Sequence, residues 1–251
     1  MDIIQTFYDD LATQYDKLFL DWEATTHEQA ALLDDLFSKF GFDRSASVLD
    51  CACGIGTQSI GLAALGYDIT GSDISEAELA QAKERAARQG VTLPLARADF
   101  RALENTFDRQ FDILIAMDNA LPHMLTAEDL SAAIGSMVGR LRDGGLFVAS
   151  IRDYDALLET NPPYSPPYIH QTEAGQRVSF QTWHWEGDHY ILHQYIIDDG
   201  ATLQVSKFTC EYRAMRRQEL TDLLRTHGCR EVTWLSPEES GFYQPIVVAK
   251  K

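Results

Sequence analysis

Residues 48–73 read VLDCACGIGTQSIGLAALGYDITGSD, and this stretch decides the fold. Val48 and Leu49 form a short apolar run that ends in Asp50. Gly54 and Gly56 follow it. A helix-like run extends to about Leu65, Gly66 stops it, and a strand-like run from Tyr67 to Gly71 leads to Asp73. The order is strand, loop, helix, strand, and the first turn is too small for side chains. Such a turn brings backbone amides and a helix N-terminus up against a ligand. Asp73 stands nineteen positions after Gly54, where a ribose-gripping carboxylate falls in nucleotide-type folds.

The pattern continues outward. Residues 76–89 (EAELAQAKERAARQ) predict a helix capped by Ser75 and stopped by Gly90. Leu93 to Ala98 is a third short strand, followed by Asp99 and Phe100. Residues 111–117 (FDILIAM) form a continuous apolar run, as in a buried parallel strand, and lead into Asp118-Asn119. A helix over 127–141, a turn at Arg142-Asp143-Gly144-Gly145 and a fifth strand from Leu146 to Ile151 follow. Strands and helices thus alternate from Val48 to Ile151, which predicts an α/β fold with a doubly wound, mostly parallel sheet. Ligands sit at the carboxyl ends of such strands. Asp50, Asp73, Asp99, Asn119 and Arg152 all fall there.

Upstream, residues 2–22 look helical and interleave Phe7, Tyr8, Tyr15, Phe19 and Trp22 with acids. Residues 26–40 predict a second amphipathic helix. Downstream of Arg152 the texture changes. Residues 162–167 (PPYSPP) cannot be a regular element. Three strand-like segments follow, near 177–186, 189–198 and 202–212, with turns at Gly187-Asp188 and Asp198-Asp199-Gly200. A helix over 217–227 and two strands, 230–235 and 243–250, plausible as an edge hairpin, close the chain. The expected plan is an N-terminal segment (1–41) that docks on the core or flaps over a site, an α/β domain (42–154 and 214–251), and an antiparallel three-stranded insertion (155–213).

Composition narrows the function. Of 251 residues 45% are apolar and 24% charged, enough for a substantial core. The net charge is −17, from 38 acidic and 21 basic side chains, which argues against a nucleic-acid partner. The four cysteines, Cys51, Cys53, Cys210 and Cys229, have no zinc-like spacing and read as reduced thiols of a cytoplasmic protein. No run is apolar enough to span a membrane, and the start lacks a signal-peptide pattern. His184, His189 and His193 lack a convincing metal-binding arrangement, so no metal is expected.

A dinucleotide fingerprint needs a third glycine, and Ser59 stands in its place. The residues present are an acid before two glycines (D-x-x-C-G-x-G), acids after the next two strands, and the Gly144-Gly145 turn. This set resembles the class I S-adenosylmethionine-dependent methyltransferases, with their seven-stranded Rossmann-like sheet. The resemblance implies that Asp50 orients the methionine moiety, Asp73 holds the ribose hydroxyls and Asp99 meets the adenine amine, with Gly54 and Gly56 in the loop. Tyr15, Trp22, Ala52, Ile74, Ala98, Phe100 and Met117 complete the expected cofactor set; the product would be S-adenosylhomocysteine.

A finer resemblance covers nearly the whole chain. Ser150-Ile151-Arg152-Asp153-Tyr154-Asp155, the asparagine of Met117-Asp118-Asn119, the stretch Ser206-Lys207-Phe208 with Tyr212, and FYDDLATQYDKLFLDW (7–22) are similar to glycine and glycine/sarcosine N-methyltransferases. In that family an arginine grips the acceptor's carboxylate, helped by the asparagine, and tyrosines surround the sulfonium and the amine. Carried over, Asn119, Arg152 and Tyr195 are the catalytic candidates. His123, Tyr154, Tyr168 and Tyr212 join them around the acceptor, His123 chiefly as a loop buttress. Tyr8 and Tyr243 are further tyrosine candidates. The animal enzymes place an N-terminal arginine near the methionine carboxylate. Here no arginine precedes Arg44, and His27 or backbone amides stand in.

The chemistry agrees with the residue types. A carboxylate acceptor calls for a bidentate donor, which arginine supplies. Methyl transfer is an in-line displacement in which positioning does most of the work. The resulting expectation is transfer from S-adenosylmethionine to the amine of a small carboxylate-bearing acceptor, glycine or sarcosine first. The alternatives are another small metabolite methylated at N or O, and a non-catalytic S-adenosylmethionine-binding protein. Oligomeric state is open.

Overall fold

A computed structural model describes residues 3–251. Residues 1 and 2 of the expected N-terminal segment lie outside them. Five strands run parallel: β1 (Ser47–Asp50), β2 (Asp68–Asp73), β3 (Leu95–Arg97), β4 (Phe111–Ala116) and β5 (Leu141–Ser150). The last two, β10 (Glu231–Leu235) and β11 (Ile246–Lys250), are antiparallel, giving a seven-stranded sheet of order β10-β11-β5-β4-β1-β2-β3. The order reverses direction beside β1, so the crevice at the carboxyl ends of β1 and β4 is the natural ligand position.

Apolar side chains alternate across the sheet and are covered on both faces. Leu49, Leu114 and Phe147 point to one face, where α5 (Ala127–Gly139) and α7 (Arg217–Thr226) bring Leu130, Ile134, Leu220 and Leu224. Val48, Ile113, Ile115 and Val148 point to the other, where α2 (Trp22–Lys39) and α3 (Thr57–Ala64) bring Leu33, Phe37 and Leu62. Every residue of β4 is buried, which is why its sequence is apolar rather than alternating, except at Asp112, whose carboxylate accepts from the Ser47 amide at 2.8 Å and hydroxyl at 2.7 Å. Ser75 caps α4 (Glu76–Arg88) by accepting from the Glu78 amide at 3.1 Å.

The loop after β1 depends on glycine. Gly54 and Gly56 have φ of 51° and 91°, and Gly56 is the residue from which α3 starts. Close helix packing, the task of a third fingerprint glycine, falls here to Gly61. A Cβ on it would stand 2.5 Å from the Thr26 carbonyl oxygen and 2.6 Å from the Ala30 Cβ of α2.

Four expectations are corrected. The insertion has four antiparallel strands, not three: β6 (Tyr168–Thr172), β7 (Gly175–Glu186), β8 (His189–Asp199) and β9 (Leu203–Arg213). β6 escaped notice because YIHQT is a mostly exposed edge strand with no apolar alternation. A short helix, α6 (Tyr154–Thr160), capped by Asp153, precedes it. Gly144-Gly145 lies inside β5 as an irregularity rather than before it. Pairing with β4 jumps from Phe111–Leu141 to Ile113–Leu146.

The N-terminal segment is the fourth. It is not one helix: α1 (Ile3–Leu11) ends, and a 3-10 turn over Tyr15–Leu18 follows. In an unbroken helix seven residues would separate Tyr8 and Tyr15 by about 10 Å along the axis. The break lets their rings approach to 6.5 Å.

Candidate active site

Two cavities meet at the carboxyl ends of the parallel strands. The first, of about 760 Å³, is walled by the loop after β1 and the ends of β2 and β4. Ala52, Gly54, Asp73, Ile74, Ala98, Asp99, Phe100, Met117 and Tyr15 line it, as does His123. The second, about 1,770 Å³, is larger and more open. Asn119, Arg152, Tyr168 and Tyr212 line it, together with the aromatic N-terminal segment and one face of the four-stranded sheet. Tyr8, Tyr15 and Asp118 line both.

In the first cavity the glycine loop is fastened by acids. Asp73 Oδ2 accepts from the Gly54 amide at 2.9 Å and Oδ1 from the Ser75 amide at 3.0 Å. Burial raises the Asp73 pKa, and these amides oppose the rise. Asp50 is wholly buried and is not among the lining residues. It accepts from the Ser59 hydroxyl at 2.7 Å and from the Ala52 amide at 3.3 Å, and burial raises its pKa to about 7. Asp50 therefore shapes the loop from beneath, and Ser59, in the position of the absent glycine, is its partner. Asp99 does line the cavity, but its carboxylate is engaged by Arg101, at 2.6 Å from Nη2 and 2.9 Å from Nε. That partner was not foreseen.

Trp22 and Gly56 are not among the lining residues. Trp22 sits behind the loop, donating from Nε1 to Thr57 Oγ1 at 3.0 Å and covered by Arg85. His27 is exposed on α2 and reaches neither cavity.

In the second cavity Arg152 is the central cation. Nη1 donates to the Tyr190 hydroxyl at 2.7 Å and Nη2 to Gln181 Oε1 at 2.9 Å. Its guanidinium lies 5.1 Å from the Trp183 ring and 5.7 Å from that of Tyr212. All these partners are neutral. Among the described residues no carboxylate pairs with it.

Asn119 lies beside it, 4% exposed. Its Oδ1 accepts from the Arg152 amide and from the Tyr154 hydroxyl, both at 3.0 Å, while its buried Nδ2 has no partner. An unpaired buried amide donor is uncommon and points at a missing acceptor. Tyr154 is fully buried behind Asn119 and bonds the Tyr190 hydroxyl at 2.8 Å, so it orients the site from outside the cavity.

His123 is buried beneath the junction, 2.8 Å from the Tyr8 hydroxyl through Nε2, with its ring 4.3 Å from that of Tyr212 and tilted to it by 37°. Burial, reinforced by the charge of Arg152, pushes its pKa down to about 3. It is a neutral imidazole at every ordinary pH.

Tyr195 is not brought to the cavity. On β8 the buried positions are Tyr190, Leu192, Gln194 and Ile196; Tyr195 alternates to the opposite face. There it stacks on Phe180 at 5.0 Å. The tyrosine of β8 that bonds Arg152 is Tyr190, which is buried and lines neither cavity. Tyr168 stands at the mouth, 65% exposed.

Reasoning from sequence also missed Asp118, Gln58, Gln181 and Trp183. Asp118 was findable: it follows a wholly buried strand in a sheet whose strand ends were already suspect. The others are polar or aromatic residues of ordinary appearance. Among the described residues no group of three or more His, Cys, Asp or Glu side chains is placed to hold a metal ion.

The first cavity suits an adenosine-like ligand that carries no phosphate. Its walls are apolar at Ile74, Ala98, Phe100 and Met117, three carboxylates (Asp73, Asp99 and Asp118) stand at its strand ends, and its one guanidinium, Arg101, is paired with Asp99. A phosphate would find no free cation there among the described residues.

Comparison with known proteins agrees. Residues 48–145 match a family described as a methyltransferase domain. The chain is 26% identical to a glycine/sarcosine N-methyltransferase of Parasynechococcus marenigrum (strain WH8102), over 98% of this chain and 85% of that protein. It is 25% identical to a glycine/sarcosine N-methyltransferase of Halorhodospira halochloris, over 85% and 76%. Among solved structures, an S-adenosylmethionine-dependent methyltransferase from Clostridium acetobutylicum superposes with a TM-score of 0.77 at 19% identity, over 97% of this chain and 98% of that one. An S-adenosylmethionine-bound amino pentose methyltransferase from Micromonospora echinaspora gives 0.76 at 20%, over 90% and 91%. At that identity the superpositions speak for the fold.

Proposed function

We propose that this chain, a class I S-adenosylmethionine-dependent methyltransferase, methylates the amine of a small carboxylate-bearing acceptor, with glycine and sarcosine first in line. The observation that carries this reading is Arg152, a cation with only neutral partners opening onto the larger cavity beside the unpaired amide of Asn119. A guanidinium has five N–H donors, and two of them are used on Tyr190 and Gln181. The rest, with Asn119 Nδ2, form a donor set matched to one carboxylate.

S-adenosylmethionine supplies an electrophilic methyl group on a sulfonium. Asp73 and Asp99 would hold its ribose and adenine, and Ile74, Ala98, Phe100 and Met117 would enclose the base. Ala52 and Gly54 line its loop, and Asp50 and Gly56 set that loop's shape. Tyr8 and Tyr15, shared by both cavities, would face the sulfonium; aromatic rings and phenol oxygens stabilise such a cation. Arg152 and Asn119 would fix the carboxylate end of the acceptor, which leaves its nitrogen directed at the junction. Positioning and exclusion of water then lower the barrier. The glycine/sarcosine N-methyltransferases that match nearly the full chain support the choice of acceptor. The acidic balance of the chain supports a small metabolite, handled in the cytoplasm, over a nucleic acid.

The test is an acceptor screen. Purified protein with S-adenosylmethionine is expected to release S-adenosylhomocysteine faster when glycine or sarcosine is added, and not with ethanolamine, which lacks the carboxylate. Equal stimulation by ethanolamine would remove the case for a carboxylate clamp.

A further inference from the structure

The larger cavity borders two charges that the protein itself does not pair. Arg152 is one. Asp118 is the other. Its Oδ2 accepts from Gln58 Nε2 at 2.7 Å and its Oδ1 from the Tyr243 hydroxyl at 2.8 Å. Both donors are neutral, and no lysine, arginine or histidine forms an ion pair with it among the described residues. Asp118 also lines both cavities, a property it shares only with Tyr8 and Tyr15 among the described residues.

Its backbone is held for the purpose. Asp118 and Asn119 have φ of 55° and 68°, two successive left-handed residues at the end of β4. Such conformations cost free energy outside glycine and gather at functional sites. Ser150 fixes them, its hydroxyl accepting from the Asp118 amide at 2.8 Å and its carbonyl from the Asn119 amide at 3.1 Å. The turn sets a carboxylate and an amide side by side, one at the junction and the other next to Arg152.

We propose that Asp118 receives the ammonium group of the acceptor and takes its proton, so that Arg152 and Asp118 together read a zwitterion. This rests on the amino-acid reading above. The step is one proton transfer. An N–H bond of the ammonium breaks, an O–H bond forms on Asp118, and the two opposite charges cancel. The nitrogen keeps the electron pair and becomes the neutral nucleophile that the displacement needs. Burial raises the Asp118 pKa, which suits a carboxylate that must accept a proton. The titratable groups facing Asp118 are Tyr15 from the N-terminal segment, Tyr243 from the loop before β11 and Asp50 from the end of β1. Burial raises the pKa of all three, and the two phenols stay protonated through neutral pH.

The experiment is calorimetric titration of glycine and of acetate into protein saturated with S-adenosylhomocysteine, joined to pH profiles of turnover. Acetate reports the carboxylate clamp alone; the preference for glycine reports the ammonium site. Asp118→Asn suits the left-handed backbone and keeps the side-chain shape. It is expected to leave acetate affinity within about threefold and to erase a glycine preference of about tenfold or more. Its kcat/KM for glycine should climb about tenfold per pH unit, following the free amine, where the parent profile is flatter. Tyr243→Phe keeps the carboxylate and removes a bond that favours its charged form, so the acid limb of the profile should move to higher pH.

Thermal melting establishes that each variant is folded, and should Asp118→Asn fail to fold, Tyr243→Phe decides. A parent that binds acetate while the glycine preference and pH profile survive both substitutions overturns this inference alone. So does an Asp118→Asn protein whose only defect is weaker S-adenosylmethionine binding. A parent that binds neither acetate nor glycine overturns the amino-acid reading with it.

Discussion

Arg152→Met is the sharpest perturbation of the site, because it separates function from stability. In the parent, two guanidinium donors are spent on Tyr190 and Gln181. Both acceptors keep another partner when the arginine is gone. The Tyr190 hydroxyl still meets Tyr154 at 2.8 Å, and Gln181 Oε1 still accepts from Trp183 Nε1 at 3.0 Å. Methionine fills similar volume between the Trp183 and Tyr212 rings without leaving a polar group orphaned. Removing a cation that has no anion to meet is then close to neutral for folding. The melting temperature should stay within about 3 °C, the shift that about 1 kcal/mol produces in a domain of this size.

Acceptor binding is another matter. Losing one partner of a desolvated charge pair costs about 2–5 kcal/mol. Arg152 is half-buried, so the lower half of that range applies, about 30-fold to 300-fold in kcat/KM for glycine. Arg152→Lys keeps the charge and loses the fork, and should fall between parent and Arg152→Met. The assays are saturation kinetics in glycine, calorimetry of S-adenosylmethionine and a thermal melt. An Arg152→Met protein that saturates with glycine like the parent, or loses cofactor affinity in step with glycine, refutes the clamp.

Three further outcomes are expected. Tyr190→Phe removes the hydroxyl that braces Arg152 and Tyr154, and should raise the glycine KM by about tenfold, the worth of one hydrogen bond to a charged group, with cofactor affinity unchanged by calorimetry. Asp73→Ala strips the Gly54 and Ser75 amides of their acceptor and should weaken S-adenosylmethionine binding by about 10-fold to 100-fold; equal affinity would end its assignment to the ribose. Asp50 titrates near 7 rather than 3.8 because it is buried. Its protonated form therefore adds stability that is complete below the unfolded value and lost as pH rises through the folded one. Asp50→Asn should gain on the parent by at most about 4 kcal/mol between pH 4 and pH 7 in urea unfolding, and a constant difference would show Asp50 charged throughout.

The parallel sheet was legible because its signals are local. An apolar run ending in an acid, a glycine pair and a helix stop each report on a few neighbouring residues, and they repeat. The second sheet was legible as strands but not as faces. In His189–Asp199 both alternating sets contain apolar or aromatic members: Tyr190, Leu192 and Ile196 on one side, Ile191, Tyr195 and Ile197 on the other. A slip of one residue exchanges the faces of a strand, so nothing in that sequence says that Tyr190 rather than Tyr195 meets Arg152. The pairing of Arg101 with Asp99 was open to local reading but carries no motif. The pairing of Asp118 with Gln58 and Tyr243 spans 60 and 125 residues, beyond any local pattern.

The arrangement of charges explains why the cavity keeps Arg152 and Asp118 apart. Paired with each other they would form an internal salt bridge and leave nothing for a ligand. Asn119, next to Asp118 in the turn, is bonded to the Arg152 backbone. Its Oδ1 accepts from the Arg152 amide and fixes that backbone, and its own left-handed conformation continues the bend that Asp118 begins. The guanidinium is drawn instead to Tyr190 and Gln181, both on the four-stranded sheet, while Asp118 is drawn to Gln58 on α3 and to Tyr243. Each charge is thus anchored to a different structural layer by neutral donors or acceptors, which orient it without cancelling it. An acceptor with charges of both signs neutralises the two at once, and a ligand with only one leaves a partner exposed to the cavity. On the proposed reading, selectivity for a zwitterion follows from the unpaired state of the protein's own groups, and the glycine-to-acetate affinity ratio tests it directly.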